Sequence, residues 1–292
     1  MPVQPIHLHR EDFLNDINLP LNVFRKEPQE PFPLHSHDFS ELVIVLGGTG
    51  VHRVLDDEFP IGPGDTFVIK TGQVHEYFEV KDLVLINIQF DLKKLDIAVD
   101  DLSTVGGYHA LFTVEPAYRR EDGLHNQLTL DRDQLAYVEK LVSDIEAELT
   151  AKTPGYVSLC KSYFMTLVVF ISRCYSGEST FYSNKILKIG EAISYIEENY
   201  SDNISINDLV RITRLSKSTL LRSFKKCFNM SPISYINATR INKACRLLKT
   251  TDYSITDIAL MAGFSDSIYF AKKFKSLKKS TPGRFRAINR VP

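Results

Sequence analysis

The sequence predicts an α+β multidomain chain: a β-barrel or sandwich, then a helical hairpin, then an all-α module with two helix-turn-helix motifs. Three observations predict it. Between Glu41 and Phe90 the runs ELVIVLGG, VHRVLDDEF, DTFVIKTG and LVLINIQF are rich in Val, Ile, Leu and Phe and broken at Gly, Pro or Asp, the pattern of short barrel or sandwich strands. From Asp131 the apolar residues change to helical spacing. Beyond residue 204 a helical pattern occurs twice in register. With 292 residues the chain passes the length, about 250 residues, at which single cores stop growing, so two or three domains are expected. Its 43% hydrophobic and 24% charged residues are those of a chain that folds, not of a disordered or fibrous one.

The barrel is assigned to residues 1–130. DRDQLAYVEKLVSDIEAEL then places Leu135, Val138, Val142, Ile145 and Leu149 on one helical face, and YVSLCKSYFMTLVVFISRCY forms a more apolar second helix after Thr153-Pro154-Gly155. This hairpin, 131–175, carries more apolar surface than a small barrel needs to cover, which predicts a homodimer through it. The polar stretch SGESTFYSN, 176–184, reads as a linker, and 185–292 as the helical module.

The N-terminus MPVQPIHLHREDF has no basic region followed by an apolar core, and no apolar run approaches the roughly 18 residues that span a bilayer. A cytoplasmic protein without a membrane partner is expected. Cys160, Cys174, Cys227 and Cys245 are scattered, with no Cys-x-x-Cys pair, and read as reduced, mostly buried side chains.

Charge divides the chain. Residues 184–292 contain 20 Lys+Arg against 8 Asp+Glu, a net +12, whereas residues 1–183 contain 15 against 28, a net −13. One half therefore suits a polyanion that the other half repels. Within the basic half, SINDLVRITRLSKS (205–218) lies over SITDIALMAGFSDS (254–267) at an offset of 49. The second copy then has one extra residue, so Leu220, Arg222 and Phe224 correspond to Phe270, Lys272 and Phe274. In each copy a short helix, apolar at Ile206, Leu209 and Val210 or Ile255, Ile258 and Ala259, precedes a tight turn and a second helix. Gly263 supplies positive φ at the sharper turn, and Phe264 plugs the core. Ser216 and Ser265 are the expected N-caps. The second helices present Lys217, Arg222, Lys225 and Lys226, and Lys272, Lys273 and Lys275. Double-stranded DNA is the expected partner. A helix over 232–249, roughly 27 Å long at about 1.5 Å per residue, can hold two recognition helices about one 34 Å DNA turn apart.

The segment LSKSTLLRSFKKCFNMSPISYINATRINKACRLLKTTDYSITDIALMAGFSDSIYFAKKFKSLKKSTPGRFR resembles the DNA-binding domain of the AraC/XylS transcription regulators. The likeness includes the Gly-Phe-Ser turn, Pro232 and Pro282-Gly283-Arg284-Phe285-Arg286. It implies base contacts from Ser218, Leu221 and Arg222, and from Ser267, Ile268 and Lys272. The second set departs from members with Gln or Arg there, so its contacts are expected to be more phosphate-directed. The resemblance implies a bacterial nucleoid location when DNA is bound, and RNA polymerase as a further partner if the protein activates.

In the first half, PLHSHDFSELVIVLGG puts His35 and His37 on one strand face, joined by Glu41 if no bulge intervenes; His75 follows a Gly-bounded strand. Two imidazoles and a carboxylate on one face can hold zinc, iron, manganese or nickel. The spacing His35, His37, Glu41, Gly48 resembles the first cupin motif. The second is partly kept in Gly64, Gly72 and His75, and departs at Lys70 and Glu79. Sensor domains of the AraC/XylS family are cupin-like, so His35, His37, Glu41 and His75 equally read as an effector pocket that hydrogen-bonds sugar hydroxyls with no cofactor required. A cupin-type metalloenzyme or metal sensor fused to the DNA-binding module is the rival. No separate acid, base or nucleophile is evident, so a regulator and not an enzyme is expected. HDFSELVIVLGGTGVHRVL and KDLVLINIQF resemble the rhamnose-operon activators of the family, which implies activation of a carbohydrate operon by L-rhamnose or a related sugar.

Overall fold

The computed structural model describes residues 5–14, 16, 18–54, 57–95, 97, 101–118, 128–177 and 181–290. The chain forms two compact units that divide between Gly190 and Glu191.

Among the described residues of the first unit eight strands, β1 (Ile6–Leu8), β2 (Leu21–Lys26), β3 (Phe32–His37), β4 (Ser40–Val54), β5 (Asp57–Ile61), β6 (Asp65–Ile69), β7 (His75–Phe90) and β8 (Leu128–Thr129), make one sheet. Its order is β1-β3-β7-β4-β6-β8, with β2 on β7 and β5 on β4. β1 pairs with β3 in parallel and the other pairs are antiparallel. The frame is the β4–β7 ladder, from Ser40 opposite Phe90 to Val54 opposite His75. The two runs expected as separate strands at ELVIVLGG and VHRVL are a single strand, because the glycines produce register shifts between Val45 and Val51 and not a chain reversal. Gly48 has φ +70°, and a β-carbon there would collide with the Asp82 carbonyl of β7. Successive residues Leu42, Val43, Ile44 and Val45 are all fully buried, so this part of β4 is covered on both faces. Val43 and Val45 pack with Ile61, Phe67, Tyr77 and Leu85 in one core.

Helical turns between Leu92 and Tyr118, including a π-helical turn at Ala110–Val114, were not expected from the sequence. Helices α1 (Arg132–Ala151) and α2 (Tyr156–Gly177) form the expected hairpin. Asp131 and Gln134 start α1 with a reciprocal capping box, and Val138, Leu141, Val142 and Ile145 form its buried stripe. Arg25 of β2 reaches Glu139 and Glu146 of α1, each at 3.2 Å. Phe164 of α2 meets Phe90 at 5.2 Å between ring centroids. By length and composition Tyr156–Ser176, with a mean hydropathy of 1.4, suffices to cross a membrane, which corrects the expectation that no stretch does. Lys161 and Arg173 interrupt the run without lowering its average enough. The buried stripe Cys160, Phe164, Leu167, Ile171 and Tyr175 uses that apolarity in the core of this unit.

The linker expected at 176–184 is also corrected. Ser176 and Gly177 end α2, while residues 181–184 open α3 (Phe181–Glu198); positions 178–180 lie outside the described residues. The buried Ile186, Ile189, Ile193 and Ile196 recur at helical spacing, so packing overrides the polar composition of its start. Glycines allow close backbone contact here. A β-carbon on Gly107 would collide with the Ser172 carbonyl of α2, and one on Gly190 of α3 with the Gly106 carbonyl.

The second unit continues with α4 (Ile206–Thr213), α5 (Lys217–Phe228), α6 (Pro232–Thr250), α7 (Ile255–Met261), α8 (Ser267–Lys278) and α9 (Pro282–Asn289). The sequence repeat is a repeat of caps as well as of cores. Ser205 and Ser254 each accept from the backbone N–H three residues on, at Asp208 and Asp257. α5 and α8 end on left-handed Asn229 and Lys279. Ser231-Pro232 and Thr281-Pro282 start the next helices. Phe264, Phe270 and Phe274 pack with Ile241, Ala244 and Leu248 of α6, each fully buried large side chain contributing roughly 1.5–3 kcal/mol.

Candidate functional sites in the sheet and in the helical repeat

His35, His37, Glu41 and His75 are all buried, but not on one strand. β3 ends at His37, and Asp38-Phe39 bend the chain before β4 begins at Ser40, so Glu41 arrives from the next strand. His37 Nε2 lies 3.6 Å and His75 Nε2 4.0 Å from Glu41 Oε2. One donor atom from each of these three residues falls within 4.8 Å of the others. His35 is not in this triad. Its ring packs 4.0 Å from that of His75, and it lines a cavity of about 170 Å³ together with Glu41.

Each imidazole is oriented through Nδ1: His35 to the Pro33 carbonyl at 2.9 Å, His37 to Phe39 at 2.7 Å and His75 to Gln73 at 3.2 Å. A carbonyl only accepts, so in His37 and His75 Nδ1 carries the proton and Nε2 presents its lone pair. Burial lowers His35 and His75, and lowers His37 to about 4. Burial raises Glu41 against the opposing bond from Gln89, whose Nε2 donates to Glu41 Oε1 at 3.0 Å. His37 Nε2, His75 Nε2 and Glu41 Oε2 are buried without a hydrogen bond. Neutral imidazoles held this way beside a carboxyl oxygen are a donor set that fits a divalent metal, and they equally serve hydroxyl groups.

Several residues of the site were missed in the sequence. Gln89 faces Glu41 across the ladder, and its signal is a lone Gln in the apolar strand LVLINIQF. His52 and Tyr77 are register partners and stack at 5.0 Å. Gln29, Asn87 and Gln89 add polar lining to the cavity, and Leu8, Phe13, Phe24 and Phe32 are its apolar walls.

In the helical unit the predicted residues share outward faces. Ser218, Arg222 and Lys225 are exposed on α5 at positions i, i+4 and i+7, opposite buried Leu220, Ser223 and Phe224. Lys217 is exposed, and Leu221 and Lys226 are half-buried. Lys225 Nζ donates to the Asn229 carbonyl at 3.3 Å. Ser216 caps α5 as expected, accepting from the Thr219 N–H at 3.2 Å. Ser265 does not cap α8. The extra residue of the second copy moves that position to Asp266, whose carboxylate accepts from the Ile268 N–H at 2.8 Å; Ser265 is simply exposed. On α8, Ile268, 79% exposed, Lys272 and Lys275 line one outward face, while Ser267 and Lys273 are half-buried. Tyr269, not singled out in the sequence, is exposed, with the Lys273 ammonium 5.5 Å from its ring centroid.

A duplicated, capped helix-turn-helix with basic outer faces, carried on one chain with a sheet domain that holds a largely apolar cavity with a few polar side chains, defines a DNA-binding regulator with a small-molecule-binding domain. Comparison with known proteins gives the family. Residues 23–150 match the AraC-like ligand binding domain and residues 209–288 a helix-turn-helix domain. The HTH-type transcriptional activator RhaR of Mannheimia succiniciproducens is 30% identical over 279 residues, covering 96% of this chain and 95% of that protein. The HTH-type transcriptional activator RhaS of Enterobacter sp. is 28% identical over 281 residues, covering 96% of each. A solved AraC-type regulator from Chromobacterium violaceum is 32% identical over 36% of this chain and 94% of its own, with a TM-score of 0.35. The chain belongs to the AraC family of transcriptional regulators, and is a regulator and not an enzyme.

Proposed function

We propose that this protein activates transcription of a carbohydrate-utilisation operon in response to a sugar, L-rhamnose or a close relative, bound in the cavity beside His35 and Glu41. The observation that carries this is the end-to-end similarity to proteins named transcriptional activators RhaR and RhaS. It agrees with the resemblance of HDFSELVIVLGGTGVHRVL and KDLVLINIQF to rhamnose-operon activators. The cavity supports it, since amide and carboxyl groups among phenylalanines suit a hydroxylated ring with apolar edges. A sugar that favours one conformation of the regulator shifts the population that binds its operator.

The α5 and α8 faces meet DNA, with Ser218, Leu221, Arg222, Ser267, Ile268 and Lys272 toward base edges and Lys217, Lys225, Lys226, Lys273 and Lys275 toward phosphates. Ser216 and Ser265 flank these contacts. A homodimer through α1 and α2 presents two such modules; Tyr137 and Leu159, each 42% exposed, support that face. RNA polymerase is the further partner, and the complex forms on the nucleoid in the cytoplasm.

A second reading concerns His37, Glu41 and His75. Their three buried donor atoms without hydrogen bonds support a divalent metal held at this point. It would supply a Lewis-acidic centre that orients sugar hydroxyls, and Glu41 would bind it as the carboxylate. A thermal-shift series of the full chain against L-rhamnose, other sugars and divalent metals, each with and without chelator, tests both readings. Stabilisation by none of the sugars would overturn the first; a sugar response and melting curve indifferent to chelator and to added metal would overturn the second.

A further inference from the structure

Among the described residues there is a second group of metal-ligating side chains whose donor atoms lie within 4.8 Å of one another: His7, His9 and Asp38. The fold assembles it from two strands. Parallel pairing sets His7 opposite Ser36 and Leu8 opposite His37. Asp38 follows directly, in the bend before β4. His9 is extended, with φ −84° and ψ 138°, so it lies on the same side of the chain as His7. The two rings meet edge-on at 4.8 Å, and His7 Nδ1 is 3.0 Å from Ser36 Oγ, which orients its ring. All three residues are exposed, so they are distinct in environment from the buried His37, Glu41 and His75.

Two imidazoles and one carboxylate are a donor set for first-row divalent ions such as zinc, nickel or copper, with water completing the coordination. As solvated polar groups they need no ion to satisfy them; what points to one is the convergence of three donors of matching type from two separate stretches of chain. Their place gives such an ion something to do. β1 has three residues, and its pairing within the sheet is with β3, a short parallel contact of the weaker kind. Leu8 of β1, and Phe13 in the helical turn after it, line the cavity with His35 and Glu41.

We propose that His7, His9 and Asp38 form a surface site for a first-row divalent cation that fastens the N-terminal strand to the bend between β3 and β4, and so holds one wall of the cavity closed. The site does not depend on which effector the cavity takes, or on a metal at the buried triad. Titration of the full-length, tag-free, metal-stripped protein with zinc, followed by calorimetry, tests it. Both His9→Gln and Asp38→Asn remove one zinc equivalent or weaken it about ten-fold or more, since loss of even an outer partner of a metal ligand has effects of that size; His37→Gln leaves this equivalent in place. The altered residues are exposed, and matching far-UV spectra and melting curves without zinc check that the variants fold. A wild type that takes up no zinc, or His9→Gln and Asp38→Asn variants that bind as many ions with unchanged affinity, would overturn the site. Zinc should also slow amide exchange at Ile6–Leu8 in the wild type and not in Asp38→Asn. Unchanged exchange in the zinc-bound wild type would overturn the fastening.

Discussion

The backbone of Ser201 lies against Gly263 so closely that a β-carbon at 263 would stand 2.6 Å from its carbonyl oxygen and 2.7 Å from its Cα. Gly263 also has φ +85°. Two independent demands, left-handed backbone and the space of a missing side chain, therefore meet at the turn between α7 and α8. Gly263→Ala should destabilise the helical unit by roughly 1–3 kcal/mol from backbone strain alone, and by more if Ser201 cannot yield. Urea unfolding reads the loss; an unchanged midpoint would refute the assignment of the turn.

Arg222 and Lys225 should differ in kind. Arg222→Ala is expected to weaken operator binding by about 1–3 kcal/mol and to relax preference at one base pair. Lys225→Ala should weaken all sequences alike and flatten the salt dependence. It should also cost some helix stability, because the Lys225 ammonium donates to the Asn229 carbonyl. Binding measured on an operator library at two salt concentrations separates the two; identical profiles would remove the distinction.

His37→Ala or His75→Ala should abolish the effector response while leaving basal DNA affinity close to wild type, since both residues lie in the sheet unit. In an Asp38→Asn background, where the surface site is absent, chelation should reproduce the loss if a metal orders the triad, and have no effect if the cavity acts alone. A full response in both variants would detach the cluster from sensing.

His109 makes stability depend on pH. It is buried, its Nε2 is 2.9 Å from the Ser103 carbonyl, and burial lowers it from 6.5 to about 4. The folded state thus favours the neutral ring, and the unfolded chain takes up the proton first. The contribution is fully present above pH 6.5 and is lost as pH falls through about 4, reaching about 3 kcal/mol at most. His109→Gln should flatten this part of the unfolding profile between pH 7 and pH 4; parallel profiles would contradict it.

The hairpin dimer predicts that Leu159→Glu shifts sedimentation from dimer to monomer at micromolar concentration without changing the melting of the monomer. A wild type that sediments as monomer with and without sugar would exclude this interface.

The helical unit was the more legible half because its signals are local. Ser205 and Ser254 with Asp208 and Asp257, the offset of 49, and the buried Leu220, Phe224, Phe270 and Phe274 all lie within one or two turns of the helices they define. The cap at Asp266 was misplaced because the aligned serines matched one residue before the insertion took effect. In the sheet unit the histidines and Glu41 were legible from spacing, whereas Gln89 and Tyr77 join them through the β4–β7 pairing. The strand β1 was hidden because His7 and Leu8 gain their structure from β3, far along the chain. The helical turn at Gly106–His109 was hidden for the same reason, since Gly107 is held there by the Ser172 carbonyl, whose closeness excludes a side chain.

The same crowding decides where this chain can be cut and rejoined. Gly190 touches the backbone of Gly106 and still belongs to the sensory unit, which ends there. A chimera spliced at the polar stretch around residue 180 would carry the first turns of α3 away with the DNA-binding half and bring a foreign residue against that carbonyl. Exchanged modules should instead be joined after Gly190, in helical phase, so that the sensory half keeps its own glycine and the graft begins at Glu191.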